Sequence, residues 1–275
     1  MPRPLIYGLM KGISRSFYYI DRKRRELTVQ NLSMAFPEKT DLQIAALSKE
    51  VYDALSRTVA EILLMFAGRL DIDAMISNKE EAIEQLQAIR KRSEHGIIVV
   101  TAHFSNWELA AHFLAKHGLP MLAIGREGNN KLIDRNITIP FREKYGNEAV
   151  SKDKAMLAMA KALKKGRNVG LLIDQKSGHL NSAKVDFFGH PAETTLSVAM
   201  LKEKFDPLVV PIFIAREEDG RYKMIIEEPI DYTAEEIAEN EQKLVAMTQR
   251  YSDAIEKIVR AYPEQWFWMH NRWRR

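Results

Sequence analysis

From residue 97 onward, short apolar runs alternate with amphipathic stretches, and this alternation constrains the fold more than any other feature. The runs IIVVTA, NVGLLID and PLVVPIFIA are mostly apolar, which is typical of strands buried on both faces. The stretches between them, such as WELAAHFLAKHG and LSVAMLKEKF, space their apolar residues as helices do. The pattern predicts an α/β fold, a layered sheet of mixed, largely parallel strands flanked by helices. PMLAIG is a further candidate strand, and YKMIIEEPI is a candidate antiparallel edge strand.

The sequence before this region has the pattern of helices. Residues 41–68 carry a helical apolar stripe, with Asp41 as the predicted N-cap and Gly68 as the stop. Residues 78–96 carry a second stripe, which we expect to end at Gly96. These patterns predict a helical extension in front of the sheet.

No repeat, low-complexity tract or Ser/Gly linker divides the chain. A long amphipathic pattern near the end of the sequence stops close to Pro263. With 275 residues, the chain is long enough to bury one large core. We therefore expect one domain over residues 1–275, with a helical N-terminal part (1–95) and an α/β part (96–275).

The stretch at about residues 4–20 is a candidate amphipathic helix for a membrane interface. Its apolar residues recur at spacings of three and four: Leu5, Ile6, Leu9, Ile13, Phe17 and Ile20. No segment reaches the ~18 apolar residues that a membrane-spanning helix needs. Such a helix can lie in the interface or pack on its own domain, and the sequence leaves both interpretations open.

The amino-acid composition excludes some kinds of catalytic and metal site and indicates which partners the chain could bind. The chain has no cysteine, which excludes a thiol nucleophile, disulfides and thiolate zinc sites. The net charge is +4, and basic residues cluster in DRKRR (21–25) and in the terminal RWRR. Basic clusters beside aromatic residues suit an anionic membrane surface, an acidic protein partner or nucleic acid. Each cluster can equally be a solvated charged face.

Two polar residues follow buried strands at the points where ligands collect in α/β sheets. His103 comes just after IIVVTA, and Asp174 comes just after VGLLI. Because the carboxyl ends of parallel strands meet at one edge of a sheet, we expect both residues on the same functional edge.

The stretch TAHFSNWELAAH has two interpretations. Ser105 and Glu108 fit a capping box at the start of a helix, which would leave His103 as an ordinary strand-end residue. Alternatively, Glu108 folds back toward His103, where its carboxylate would orient the imidazole and stabilise the imidazolium. A histidine near its usual pKa suits removal of a proton from an attacking alcohol.

Other catalytic arrangements fit the sequence less well. There is no GxSxG motif, and Ser105 lies too close to His103 in sequence for a serine nucleophile and its base. His103 and Glu108 lack the spacing of the HExxH zinc motif, and no compact third ligand accompanies them. We therefore expect direct transfer, without a metal.

The motif HFSNWE (103–108) resembles the His-x4-acid motif of glycerolipid acyltransferases. Its individual residues resemble the HxGNWE motif of the lauroyl/myristoyl acyltransferases of lipid A biosynthesis, with Ser105 where that motif usually has glycine. Four further blocks resemble the same family, in the expected order: NLSMAFPE, GREGNNKLIDR, IDQKSG…VDFFGHPAETT and YPEQWFWMHNRWRR. The N-terminus lacks the long apolar helix often found in this family, which favours peripheral attachment.

The resemblance implies transfer of an acyl chain from acyl carrier protein to a hydroxyl of a lipid A precursor, without a cofactor. It implies that His103 is the general base and that Glu108 orients it. The implied partners are the acyl carrier protein, the lipid acceptor and the cytoplasmic face of the inner membrane, where the enzyme would be peripheral. No nucleic acid is implied.

Four further site residues follow from the same resemblance. Arg126 and Arg142 are candidates to bind phosphate or the polar donor, because guanidiniums bind phosphate bidentately. Surface salt bridges are the alternative for both. Asp174 would lie on the same rim and position an arginine. The helix start near Asn106 would offer free N–H groups to the tetrahedral intermediate.

Three tryptophans close the chain among arginines. Trp266, Trp268 and Trp273 could anchor the protein at a lipid headgroup layer, or they could pack on the core. Two alternative functions also stay open at this point. One is acylation of another glycolipid or a phospholipid, and the other is a non-catalytic membrane- or carrier-binding protein on the same scaffold.

Overall fold

The computed structural model describes residues 1–125, 130–151, 155–178, 181–231 and 240–273. Its α-helices are α1 (Arg3–Ile20), α2 (Arg22–Ala35), α3 (Asp41–Phe66), α4 (Lys79–Arg92), α5 (Trp107–Lys116), α6 (Lys131–Ile133), α7 (Ile139–Glu143), α8 (Ala155–Leu163), α9 (Ser197–Phe205) and α10 (Asn240–Ala261). Its strands are β1 (Ile97–Thr101), β2 (Met121–Gly125), β3 (Glu148–Ser151), β4 (Asn168–Leu172), β5 (Ser182–Phe187), β6 (His190–Thr195), β7 (Leu208–Arg216) and β8 (Tyr222–Ile226). A π-helical turn (Asp134–Thr138) joins α6 to α7, and a 3-10 turn (Pro263–Gln265) follows α10.

Six strands form one sheet in the order β3-β2-β4-β1-β7-β8. The first five are parallel, and β8 runs antiparallel to β7 at the edge. This confirms the predicted α/β fold and the predicted edge strand. β1 is central, and its apolar residues are buried on both sides of the sheet, as expected of a parallel strand covered on both faces.

Buried apolar side chains form one cluster on each face of the sheet. Ile98 and Val100 of β1 belong to the first cluster, with residues of α1–α3 and of α8–α10. Ile97 and Val99 belong to the second, with residues of α4 and α5. Successive side chains of a strand point to opposite faces, so α5 and α8 cover different sides of the same strands.

Some boundaries differ from those predicted. Thr40, not Asp41, is the N-cap of α3, and it forms a capping box with Gln43. α4 ends at Arg92, so Gly96 belongs to the turn into β1, where its φ is positive. Strand β3 and the β5–β6 hairpin were not predicted, because their sequences mix polar and apolar residues and lack an apolar run.

The N-terminal helix packs on its own chain and still exposes an apolar stripe. Within α1, Ser14 donates a hydrogen bond to the carbonyl oxygen of Tyr52 in α3 (2.7 Å). One face of α1 stays exposed: Leu5, Leu9, Ile13 and Phe17. Among the residues that the structure describes, no helix combines the length and apolar character needed to cross a membrane.

Candidate active site

The register of β1 and β4 brings His103 and Asp174 together. Thr101 pairs with Leu172 at the carboxyl ends of these neighbouring parallel strands, so residues two positions further along also lie side by side. His103 Nδ1 is 2.9 Å from Asp174 Oδ1, and the His103 backbone N–H donates to Asp174 Oδ2 (3.0 Å). The predicted meeting of the two residues at one edge is confirmed.

Asp174 is wholly buried and accepts several hydrogen bonds. Besides His103, the Trp266 indole N–H donates to Oδ2 (2.9 Å). Burial alone would raise the pKa of Asp174, but the charge and hydrogen bond of His103, the charge of His270 and the Trp266 hydrogen bond together lower it well below its usual value. Asp174 is therefore a fixed carboxylate. Its partner is the histidine, not the predicted arginine.

The contact with Asp174 leaves the far side of the imidazole for chemistry. With Nδ1 donating to the carboxylate, the neutral ring presents Nε2 as an acceptor. Burial lowers the pKa of His103, but the charge and hydrogen bond of Asp174, with the charge of Glu108, outweigh burial and raise that pKa above its usual value. The imidazole is thus held in one tautomer and made more basic.

A strand-like pairing with the C-terminal segment holds the loop after His103. Ser105 N–H donates to the carbonyl oxygen of Gln265 (2.6 Å), and Phe267 N–H donates to that of His103 (3.0 Å). Ser105 has a φ of +51°, which lies in the left-handed region that glycine adopts readily. This is the position where the resembling motif usually has glycine, so the loop has the conformation that glycine favours despite the serine.

Asn106, not Ser105, is the N-cap of α5, so the predicted capping box is wrong. The Asn106 side-chain oxygen accepts from the Leu109 N–H (3.1 Å), and its amide nitrogen donates to Glu61 Oε2 (3.0 Å). Asn106 is wholly buried. Both ends of its side-chain amide are therefore engaged within the fold, and the predicted role of this helix start toward substrate stays a prediction.

Glu108 is free of the capping box and binds Arg142 of α7. Arg142 donates to Glu108 from Nη2 (2.6 Å) and from Nε (3.1 Å). Among the described residues, no hydrogen bond joins Glu108 to His103. The carboxylate instead acts on His103 through its charge, and Arg142 acts on that pKa in the opposite direction.

Of the two arginines predicted to bind phosphate, the structure describes only Arg142. Arg142 is paired with Glu108, which is the salt-bridge alternative, although the ion pair is half-buried beside the candidate base and not on the open surface. Gly125 makes room for it, because a Cβ there would lie 3.0 Å from Arg142 Nη1. Arg126 lies outside the described residues.

A largely apolar pocket opens at His103. It is small, with a cavity volume of about 20 Å³, and α3 supplies one wall with Val51, Leu55 and Thr58. Trp107 lines it and meets the His103 ring edge-on, with centroids 5.3 Å apart. Leu55 also lines a second, larger groove of about 240 Å³ between α1 and α3, whose other apolar walls include Ile13 and Phe17. The two spaces therefore share a wall.

A buried polar cluster that was not predicted from the sequence lies beside this pocket. Arg216, at the end of β7, donates to Glu61 Oε1 of α3 (2.5 Å), and Tyr222 also hydrogen-bonds Glu61. Glu61 in turn accepts from Asn106. Two signals were present in the sequence: a carboxylate inside the apolar stretch TVAEILLM, and an arginine at the carboxyl end of a buried strand.

The C-terminal tryptophans are core residues, so the interpretation as headgroup anchors is wrong for two of them. Trp266 and Trp268 are wholly buried, and Trp266 is part of the site. Trp273 is partly buried, and its indole N–H donates to the carbonyl oxygen of Phe187 (3.1 Å). Their aromatic rings therefore pack against other residues of the chain.

Comparison with known proteins identifies the family to which this chain belongs. The model of the family described as bacterial lipid A biosynthesis acyltransferase matches residues 1–275. The chain belongs to this family of acyltransferases. An Escherichia coli lipid A biosynthesis lauroyltransferase is 26% identical over 278 residues, covering 100% of this chain and 87% of the relative.

Other relatives are similar at comparable identity. A Haemophilus influenzae lipid A biosynthesis acyltransferase is 24% identical, covering 100% of this chain and 86% of its own length. An E. coli lipid A biosynthesis myristoyltransferase is 22% identical, covering 91% of this chain and 75% of its own length. The chain is thus similar to members that are named for different acyl chains.

The structure explains why separate sequence blocks accompany the lipid A acyltransferase motif. Asn31, in the first block, donates from its side chain to the carbonyl oxygens of Trp268 (2.8 Å) and His270 (2.9 Å) in the last block. The last block pairs with the loop after His103, and the third block contributes Asp174. Residues far apart in sequence therefore assemble around one histidine.

Proposed function

We propose that this acyltransferase moves a fatty acyl chain from acyl carrier protein to a hydroxyl of a lipid A precursor, with His103 as the general base. The observation that carries the proposal is the His103 imidazole, fixed through Nδ1 by the buried carboxylate of Asp174 at the mouth of an apolar pocket. This arrangement has the base and orienting carboxylate that general-base catalysis requires.

The reaction needs no covalent intermediate on the protein. The acceptor hydroxyl oxygen attacks the thioester carbonyl as its proton passes to His103 Nε2, and the tetrahedral intermediate forms. The C–S bond then breaks, and the imidazolium returns the proton to the leaving thiolate. Asp174 stabilises the imidazolium without taking its proton. The first turn of α5 begins beside the pocket at Trp107, where helix N–H groups favour a developing oxyanion.

The proposed role of Glu108 is electrostatic. In the sequence-based hypothesis it orients the histidine; in the structure Asp174 makes that hydrogen bond. The Glu108 charge raises the pKa of His103, and we assign it to stabilising the imidazolium as the proton moves. Arg142 fixes the position of that charge and moderates its effect.

The apolar spaces beside His103 suit a fatty chain. The pocket and the α1–α3 groove are neighbours on the two sides of Leu55, and we assign the groove to the acyl chain whose carbonyl lies at His103. Burial of each methylene contributes about 0.8 kcal/mol, which favours a long chain over a short one. The exposed apolar stripe of α1 supports peripheral attachment to a membrane surface. We assign this surface to the cytoplasmic side of the inner membrane, which membership of the lipid A acyltransferase family favours.

The test is a transfer assay on the purified full chain in detergent. Labelled acyl–acyl carrier protein is offered with a lipid A precursor in one arm and a glycerophospholipid in the other. We expect labelled lipid A product, and a loss of at least about 10²-fold in His103→Ala. His95→Ala, which changes an exposed histidine, is the matched control and should keep full activity.

Each of the other outcomes has a definite meaning. Product with the phospholipid alone would replace the acceptor and keep the mechanism. Product no greater than that of His103→Ala with either acceptor would leave the non-catalytic membrane- or carrier-binding role.

A further inference from the structure

The helical segment 131–143, which comprises α6, the π-helical turn and α7, exposes an apolar stripe that the proposed reaction does not use. Ile133 and Ile137 are one helical turn apart and are 50% and 49% exposed. Leu132 beside them is 70% exposed. Phe141 continues the stripe by another turn and is buried. Three large apolar side chains exposed next to one another form a patch of the kind that marks an interaction site, so the stripe indicates a binding partner.

This stripe continues onto a second element. The Phe141 ring stacks on Phe66 at the end of α3, with centroids 3.9 Å apart. From Phe66 the exposed apolar residues of α3 run on through Leu63 and Val59, which are spaced to lie on one helix face. Val59 also lines the groove between α3 and α1. The apolar face of segment 131–143 is thus continuous with the face that borders α1.

Charge around the stripe indicates the chemistry of the partner. Residues 131–144 contain four cationic side chains against two carboxylates. Lys131, Arg135 and Lys144 are exposed. Apolar side chains flanked by Lys and Arg fit a bilayer that has an anionic headgroup layer over an acyl interior.

We propose that segment 131–143 is a second lipid-contacting element, which binds the surface of an anionic phospholipid bilayer together with α1. The proposal rests on the membrane-associated acyltransferase function above. It also locates the site relative to the bilayer. α7 supplies Arg142 to Glu108, and α3 supplies Leu55 to the His103 pocket. The proposed lipid-contacting surface therefore lies next to the site, because α3 lines the pocket and α7 binds Glu108 beside His103.

The absence of cysteine from the chain allows a direct test, because each introduced cysteine carries the label alone. A polarity-sensitive fluorophore is attached to Ile137→Cys, to Leu9→Cys on α1, and to Leu157→Cys as control. Leu157 is 60% exposed and lies on α8, which packs against β4 and α9. Each full-length variant is mixed with vesicles of phosphatidylethanolamine and phosphatidylglycerol, and separately with phosphatidylcholine vesicles.

We expect the emission at positions 137 and 9 to shift to the blue on the anionic vesicles, and the emission at 157 to stay unchanged. A shift at position 9 without one at 137 would overturn the proposal and leave membrane binding by α1 intact. Equal shifts at all three positions would also overturn it, because they indicate nonspecific adsorption. If no position shifts, both the proposal and the membrane attachment fail, whereas the detergent assay still decides acyl transfer independently.

A paired substitution gives a second readout. Ile133→Ser with Ile137→Ser removes apolar surface that is already half exposed, so the fold is retained. We expect binding to the anionic vesicles to weaken by about tenfold, with transfer in detergent unchanged. Leu157→Ser should alter neither. Unchanged vesicle binding by the double variant would overturn the proposal, and so would binding that is equally weakened in Leu157→Ser.

Discussion

Two carboxylates act on His103, and the protein holds them in different ways. Asp174 has a side chain that is 0% exposed, and it is fixed by hydrogen bonds from the end of β1 and from Trp266. Glu108 lies in the first turn of α5 and depends on Arg142, from a segment with an exposed apolar face. Asp174 sets the geometry of the imidazole, and Glu108 sets part of its charge environment. The comparison predicts that their removal has separable effects.

Replacement of Asp174 should have the largest effect. In Asp174→Asn the side chain can no longer hold the imidazole in one tautomer or stabilise the imidazolium. We expect kcat to fall by about 10³- to 10⁴-fold, as for other orienting carboxylates of catalytic histidines. The measurement is single-turnover transfer from labelled acyl–acyl carrier protein, with circular dichroism to check the fold.

A matched variant separates this effect from general damage. Asp219→Asn removes an exposed turn carboxylate that binds Arg221 and should leave kcat unchanged. A loss of less than about tenfold in Asp174→Asn, with an intact fold, would show that the hydrogen bond to His103 is structural only.

Removal of the Glu108 charge should be milder and should change the pH dependence. His103 must be neutral to accept a proton, so kcat/KM rises as the pH passes upward through its pKa. Because the Glu108 charge raises that pKa, Glu108→Gln should move the rising limb to lower pH. We also expect about 10- to 100-fold slower transfer at neutral pH, since the imidazolium loses a stabilising charge. A rate profile over pH measures both.

Arg142→Gln is the opposing variant. Arg142 lowers the pKa of His103, so its removal should move the rising limb to higher pH. A shift of the rising limb by the same amount and in the same direction in both variants would show that the ion pair acts only by holding α7.

The raised pKa of His103 also affects stability. Because its pKa is raised on folding, its contribution is complete below the pKa of the unfolded chain and is lost as the pH rises through the folded value.

The two carboxylates also differ in how far the sequence predicts them. Apolar runs locate strand ends, so the meeting of His103 and Asp174 at one edge could be predicted. That Asp174 binds the histidine depends on the register of β1 against β4, which leaves no pattern in the sequence. The Glu108–Arg142 pair joins residues 34 positions apart and depends on where α7 packs. Local spacing instead suggested a capping box, and Asn106 fills that role.

Tertiary packing also overrides local signals elsewhere. Trp266 and Trp268 stand among arginines, which resembles an interfacial anchor, yet they are wholly buried because the terminal segment pairs with the loop after His103. The Glu61–Arg216 pair looks like two unrelated charges in the sequence. Only the packing of α3 against the end of β7 brings them together. Long-range charge pairs of this kind carry no periodic signal.

The smallest effect tests the loop between His103 and Glu108. Ser105 adopts a φ of +51°, which costs a non-glycine residue about 1–2 kcal/mol. Glycine relieves that strain and loses about 0.5–1 kcal/mol through the greater freedom of the unfolded chain. Ser105→Gly should therefore raise the free energy of unfolding by about 0.5 kcal/mol, whereas Ser105→Ala, which keeps the strain, should not. Transfer should stay within about threefold in both, because the backbone of residue 105, and not its hydroxyl, holds the loop against Gln265. Denaturant titration measures the difference. A loss of stability in Ser105→Gly would mean that the serine side chain contributes more to the loop than its backbone strain removes.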